Sequence, residues 1–194
     1  MQAHYWEDAA GYEVEISKGF TELWESSYTH AVSEAPSAYN VEPADKSNMA
    51  KYVFGGFSKC LYPLQKFASD AERRLAVILE RDASKWFKPA LGQFQIYYRD
   101  GADHLEYQPD FVAETANAIY MLEPKASNQM ADPIVLAKRD AAVTWCARAT
   151  EHARGYGGKP WRYALIPHDV IAANMTLEGL VKRHGVSATN PTNA

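Results

Sequence analysis

The chain has little cysteine: Cys60 and Cys146 stand far apart and outside any CxxC spacing. That argues against a zinc ribbon or a disulfide framework and fits a reducing compartment. Long apolar runs are missing too. Met1 to Gly11 carries Glu7 and Asp8, so neither a signal peptide nor a membrane span is readable, and the expected location is cytoplasmic with no membrane partner. There is no excess of positive charge. A formal net charge of -4 over 194 residues disfavours gripping nucleic acid with the whole surface, so any contact with DNA must be local. Nucleotide-site signals are absent as well: Gly55-Gly56 lacks the spacing and the Gly-Lys-Ser/Thr ending of a phosphate loop, and no Walker motif occurs elsewhere, which leaves no ATP site within these residues. The histidines at 4, 30, 104, 152, 168 and 184 show no HxH or HExxH spacing and are assigned no metal role. His168-Asp169 has no Ser or Cys nucleophile motif beside it, so a hydrolytic triad is not expected.

What is present is a folded globule of domain size, 47% hydrophobic and 12% aromatic, with room for one sizeable core. Tyr12 to Ile16 alternates as a short strand, residues 33–47 read as a loop or connector, and Tyr52 to Phe57 sets packed aromatics around a glycine turn. Residues 69–82 form the clearest helix, capped by Ser69 and striped by Ala71, Leu75, Ile78 and Leu79. Lys85 to Pro89 ends that helix and leads to a strand at Gln93 to Tyr98. Asp100-Gly101 turns into a second strand at Leu105 to Ala113, and Glu114 to Asn117 turns into a third ending at Lys125. Asp132-Pro133 caps a second long helix that stops near residues 155–158. The fourth strand, Trp161 to Ile166, follows a helical crossover and so is expected to lie parallel to the third. A short helix from Leu177 to Arg183 closes the chain. The fold class expected is α/β: helix, three-strand meander, helix, strand over residues 61–186. Residues 1–60 are an N-terminal extension packed on or linking to that core, and 187–194 a flexible tail.

Chemistry concentrates between Tyr107 and Lys125. In a strand, Glu123 and Lys125 emerge on one face together with Ile119 and Met121. If the turn at 114–117 makes a hairpin, Asp110 lies on the neighbouring strand and the two carboxylates come within reach of one cation. Such a pair suits a hard divalent ion such as magnesium. Pro109 and Pro124 cannot donate to a ladder, so pairing is expected to open beside each, as at a bulge or where strands diverge. The same residues would otherwise be a solvated ion-pair cluster of little stability. Glu72 fits a capping box, Ser69-x-x-Glu72, and a carboxylate there can also face an adjoining cleft. Lys59, Lys66, Arg73, Arg74, Arg81, Lys85 and Lys88 either track phosphates or form a solvated face, and Lys138 and Arg139 stand under the same two readings.

Pro109-Asp110 followed by Glu123-x-Lys125 resembles the PD-(D/E)xK nuclease signature of restriction-endonuclease-like folds. The order of Phe67 to Glu72, Lys85 to Pro89, Gly92 to Tyr98, Tyr107 to Phe111, Glu123 to Lys125 and Lys159 to Tyr163 is similar to the C-terminal nuclease domain of type III restriction enzymes. The resemblance implies a restriction-endonuclease-like core and a Mg2+-dependent endodeoxyribonuclease, with Mn2+ as a substitute ion. It implies Glu72, Asp110, Glu123 and Lys125 as catalytic residues, and Asp110, Glu123 and the carbonyl of Pro124 as metal ligands. Pro124 departs from the usual small or apolar residue between the motif positions but keeps that carbonyl. Lys125, beside two carboxylates, is expected to stabilise phosphate charge and position water rather than act as a free base. Glu72 would orient a water or help hold a second ion, and Lys138, Arg74 and Lys85 are the DNA contacts expected. The partners implied are DNA, a helicase-like motor in the same parent polypeptide or complex, and a methyltransferase-associated specificity subunit. Cleavage would leave a 5′-phosphate and a 3′-hydroxyl. The alternative is a non-cleaving nucleic-acid-binding or assembly module on the same fold.

Overall fold

The computed structural model describes residues 35–100 and 103–187. The strand expected at 12–16, the Gly101 position of the expected turn, and the tail beyond 187 lie outside the described residues. Helix α1, Asp70–Asp82, starts where Ser69 Oγ accepts the Glu72 N–H at 3.2 Å, satisfying one of the donors that a helix start leaves free. Its apolar stripe, including Leu75, Ile78 and Leu79, is fully buried. Helix α2, Pro133–Arg154, starts the same way: Asp132 accepts from the Ile134 and Val135 N–H groups, and Pro133 occupies a first-turn position that needs no donor. Helix α3 spans Leu177–His184, capped by Thr176.

A five-stranded sheet separates two apolar layers and is ordered β10-β9-β8-β7-β4, with β4 Lys85–Phe87, β7 Phe111–Glu114, β8 Ile119–Lys125, β9 Trp161–Pro167 and β10 Gly185–Val186. β4, β7 and β8 run antiparallel in succession. β8 and β9 are parallel, as a crossover through α2 demands. One face packs Leu122, Phe111 and Trp86 against α1 and against Leu177 and Leu180 of α3. The other packs Met121, Val112 and Leu165 against Ala142, Val143 and Cys146 of α2. The architecture is therefore mixed α/β, with helices on both faces. Among the described residues no helix is long and apolar enough to cross a membrane.

Two strand expectations need correcting. The run at 93–98 does not join the main sheet: β5 Ile96–Asp100 and β6 Asp103–Tyr107 pair only with each other. Pro109 splits the strand expected at 105–113 into β6 and β7, because proline supplies no ladder donor. Gln108 anchors the departure, its amide donating to Pro89 O at 2.8 Å and its Oε1 accepting from Gly92 N at 3.1 Å. The first strand of the meander is instead β4, inside a stretch read as no more than the end of a helix. Residues 35–60 belong to the same body, since Met49 and Phe54 share the apolar cluster of α1 and β7. A short sheet, β1 Ser37–Ala38, β2 Phe54–Gly55 and β3 Leu64–Gln65, leads into Gly56, whose φ of 87° gives glycine the turn.

Candidate active site

The register of β7 against β8 sets the geometry. Phe111 pairs with Leu122, and Thr115 N–H donates to Ala118 O at 2.9 Å. Ile119 N–H donates to Pro160 O, on the β9 side. Backbone polar groups alternate sides along a strand, so in β8 those of even-numbered residues face β7 and those of odd-numbered residues face β9. Carried past Phe111, the register sets Asp110 across from Glu123 and Pro109 across from Pro124. The first position is a non-hydrogen-bonded one, where side chains stand closest. The second is a hydrogen-bonded position at which both residues lack the donor, so the ladder ends and the Pro124 carbonyl faces a strand that cannot bond it.

Alternation also fixes the face. Val112 and Met121 belong to the α2-side cluster, so Glu123, two residues beyond Met121 in β8, projects to that same side, while Asp110 sits in the bend just before β7 with Lys88 Nζ 3.7 Å from its Oδ1. Glu123 is buried, 6% exposed, and both its oxygens are engaged: Lys125 Nζ lies 2.9 Å from Oε1, and the buried Tyr107 hydroxyl donates to Oε2 at 2.9 Å. The Tyr163 phenol is also buried, and burial foremost, then the Glu123 charge, push its pKa up. Burial foremost, then the Glu123 charge, hold Tyr107 well above the usual phenol range, so it remains a donor. For Lys125, burial works to lower the pKa, but the charge and hydrogen bond of Glu123, aided by Asp110 and Glu72, outweigh it and raise the value. The ammonium is thus kept charged at neutral pH.

Asp110 is the stressed member. Burial first, then the charges of Glu123 and Glu72, push its carboxyl up to about 7 against the pull of Lys88 and Lys125. Glu72 reaches the cluster from the first turn of α1. Its Oε2 accepts from Ala68 N–H at 3.1 Å, which fixes the helix start, and also from Lys88 Nζ at 2.7 Å. Lys88 lies 3.7 Å from Asp110 Oδ1 as well.

The structure therefore brings Glu72, Asp110, Glu123, Pro124 and Lys125 to one end of the sheet. It does not bring two of the three expected DNA contacts there. Arg74 is spent inside the fold, donating to Ile171 O and facing Asp70 at 3.2 Å. Lys85 pairs with Glu114 at 3.0 Å, at the far end of the sheet, about 13 Å along the strand direction from Glu123. Lys138 stands in the second turn of α2 with its ammonium 5.5 Å from the Tyr98 ring centroid. Tyr107, Tyr163 and Lys88 were not assigned to the site from sequence. A buried tyrosine needs a hydroxyl partner, but only the tertiary register reveals that the partner is Glu123.

Among the described residues no group of three or more His, Cys, Asp and Glu side chains is poised around a single ion position, and Lys88 Nζ stands between Glu72 Oε2 at 2.7 Å and Asp110 Oδ1 at 3.7 Å. A cavity of about 250 Å³ lies elsewhere, between Phe87, Val112, Ile119 and Trp161. Its walls are mostly apolar and it holds none of these carboxylates. No family model, curated protein or solved structure matches the chain.

Proposed function

We propose that the chain is a metal-dependent DNA endonuclease domain with a restriction-endonuclease-like core, similar to the cleavage domain of type III restriction enzymes. What supports this reading is the β7–β8 pairing, whose register carried one residue past Phe111 sets Asp110 across from Glu123, with Lys125 Nζ 2.9 Å from Glu123 and a proline next to each carboxylate. The order helix, strand, strand, strand, helix, strand formed by α1, β4, β7, β8, α2 and β9 agrees with it. Asp110, Glu123 and the Pro124 carbonyl would hold Mg2+ or Mn2+, and the donor set, all hard oxygens, fits such an ion. When bound, the ion supplies Lewis-acid charge that polarises the scissile phosphate and eases loss of a proton from water. Tyr107 fixes the carboxylate of Glu123. Lys125, held charged, stabilises charge developing on the phosphate and orients the attacking water. The protein that acts would work with DNA, a helicase-like motor and a specificity subunit. Since a single site cuts one strand, a double-strand break would need two copies or a partner.

A second reading, a non-cleaving nucleic-acid-binding or assembly module, draws on the fact that Glu123 and Glu72 already face lysine ammoniums. Nicking of supercoiled plasmid with Mg2+ or Mn2+ separates the two. The nuclease reading expects nicking by the parent and loss of at least about a hundredfold in Lys125→Ala, whereas equal nicking by both removes the site.

A further inference from the structure

We propose that Lys88 is a second phosphate contact of this centre and that Glu72 serves by holding it in place, an inference that rests on the nuclease reading above. Lys88 follows β4 directly. The register Phe87 with Val112, carried one residue on, sets Lys88 across from Phe111, and its Nζ stands 5.2 Å from the Phe111 ring centroid. The ammonium thus lies on the α1 side of the sheet, beside Phe111 and Glu72 and within reach of Asp110. Its two carboxylate contacts are unequal. The 2.7 Å contact with Glu72 is a charge-assisted hydrogen bond. At 3.7 Å the Asp110 contact is attraction without a hydrogen bond.

Glu72 is anchored independently by the Ala68 N–H at 3.1 Å. A dication taken up between Asp110 and Glu123 repels Lys88 from Asp110 but leaves it on Glu72. The Lys88 side chain is 22% exposed, so its ammonium would be open to a phosphate beside the ion. Glu72, Asp110 and Glu123 against Lys88 and Lys125 leave one negative charge uncompensated. A dication turns that into one positive charge, the complement of a phosphodiester. The phosphate meets an ammonium from each face of the sheet end. Glu72 is in this arrangement a positioning residue and not a metal ligand, which separates it from the role that family resemblance assigns.

The test uses the full chain and three variants, Lys88→Met, Lys88→Arg and Glu72→Gln. Methionine keeps the stem against Phe111, and glutamine keeps an acceptor for Ala68 N–H, so thermal melts close to the parent's are expected. Binding of a short DNA duplex is measured with Ca2+ across a salt series, Mn2+ affinity by calorimetry, and plasmid nicking at saturating Mn2+. Lys88→Met should lower nicking about tenfold and reduce the slope of log affinity against log salt by about 0.9, the signature of one lost phosphate contact. Lys88→Arg should restore the slope. Glu72→Gln should reproduce the Lys88→Met losses with Mn2+ affinity unchanged, and the double variant should be no worse than Lys88→Met. An unchanged salt slope in Lys88→Met overturns the proposal, as does a tenfold loss of Mn2+ affinity in Glu72→Gln. If the parent neither binds Mn2+ nor nicks, the nuclease reading fails by itself. The duplex series still decides Lys88: a reduced slope keeps it as a phosphate contact, and an unchanged slope or no binding removes it.

Discussion

Asp110→Asn is expected to stabilise the metal-free protein at pH 8. The Asp110 carboxyl titrates near 3.8 when exposed and is pushed up to about 7 in the fold. A raised folded pKa means that the native state holds the proton more tightly than the unfolded chain. Stability is then fully present below about pH 4 and is lost as pH rises through about 7. Three units at 1.36 kcal/mol each give about 4 kcal/mol. The side chain keeps 27% of its surface exposed, so solvent screening reduces this to about 2–4 kcal/mol. Asparagine removes the charge and with it the penalty. For a chain of this size the gain is about 4–16 °C in melting temperature at pH 8, fading to none near pH 4. Excess Mn2+ should close most or all of that gap: at a hundredfold excess over Kd it stabilises the parent by about 2.7 kcal/mol and leaves the variant unmoved. Melts at the two pH values, with and without Mn2+, supply all four numbers. A variant that melts at or below the parent at pH 8 without metal would refute the reasoning, because Asp110 would then carry no penalty of burial and repulsion.

Tyr107→Phe removes the hydroxyl that orients Glu123 and should weaken Mn2+ binding about 10- to 100-fold with the melting curve nearly unchanged. Pro109→Ala restores an N–H opposite the Pro124 carbonyl. Hydrogen exchange should show a protected amide at 109, and Mn2+ affinity should fall as the carbonyl is drawn into the ladder. Glu80→Gln probes the fold away from the site, where Glu80 accepts from Ser58 N, Ser58 Oγ, Lys59 N and Trp86 Nε1. Urea unfolding at pH 7 should show a loss of about 2–3 kcal/mol. Burial works to raise the Glu80 pKa, but these hydrogen bonds outweigh it and lower the value. The stability they confer is therefore present above the ordinary glutamate range and is lost as pH falls below it.

Both long helices were legible because their signals are local. The stripe behind Ser69 and the Asp132-Pro133 cap specify helix starts without help from the rest of the chain. β8 and β9 were legible from alternation and from the crossover between them. β4 was not, because Lys85, Trp86 and Phe87 show no period over three residues, and only the partner strand and the 59–61 segment beside it make them a strand. Pro109 lacks a ladder donor and so signals an opening, yet the split it causes depends on where the β5–β6 hairpin packs, and no local residue encodes that. The site shows the same division. Asp110, Glu123 and Lys125 stood out by spacing, whereas Lys88 and Tyr107 join them through register across strands distant in sequence.

The central claim is that Asp110 and Glu123 form one cation site, and calorimetric titration with Mn2+ tests it most directly. The parent should take up the ion with measurable heat at a saturable site, and Asp110→Ala, folded by its melting curve, should take up none there. Identical heats from the two proteins, or no uptake by the parent, would contradict it.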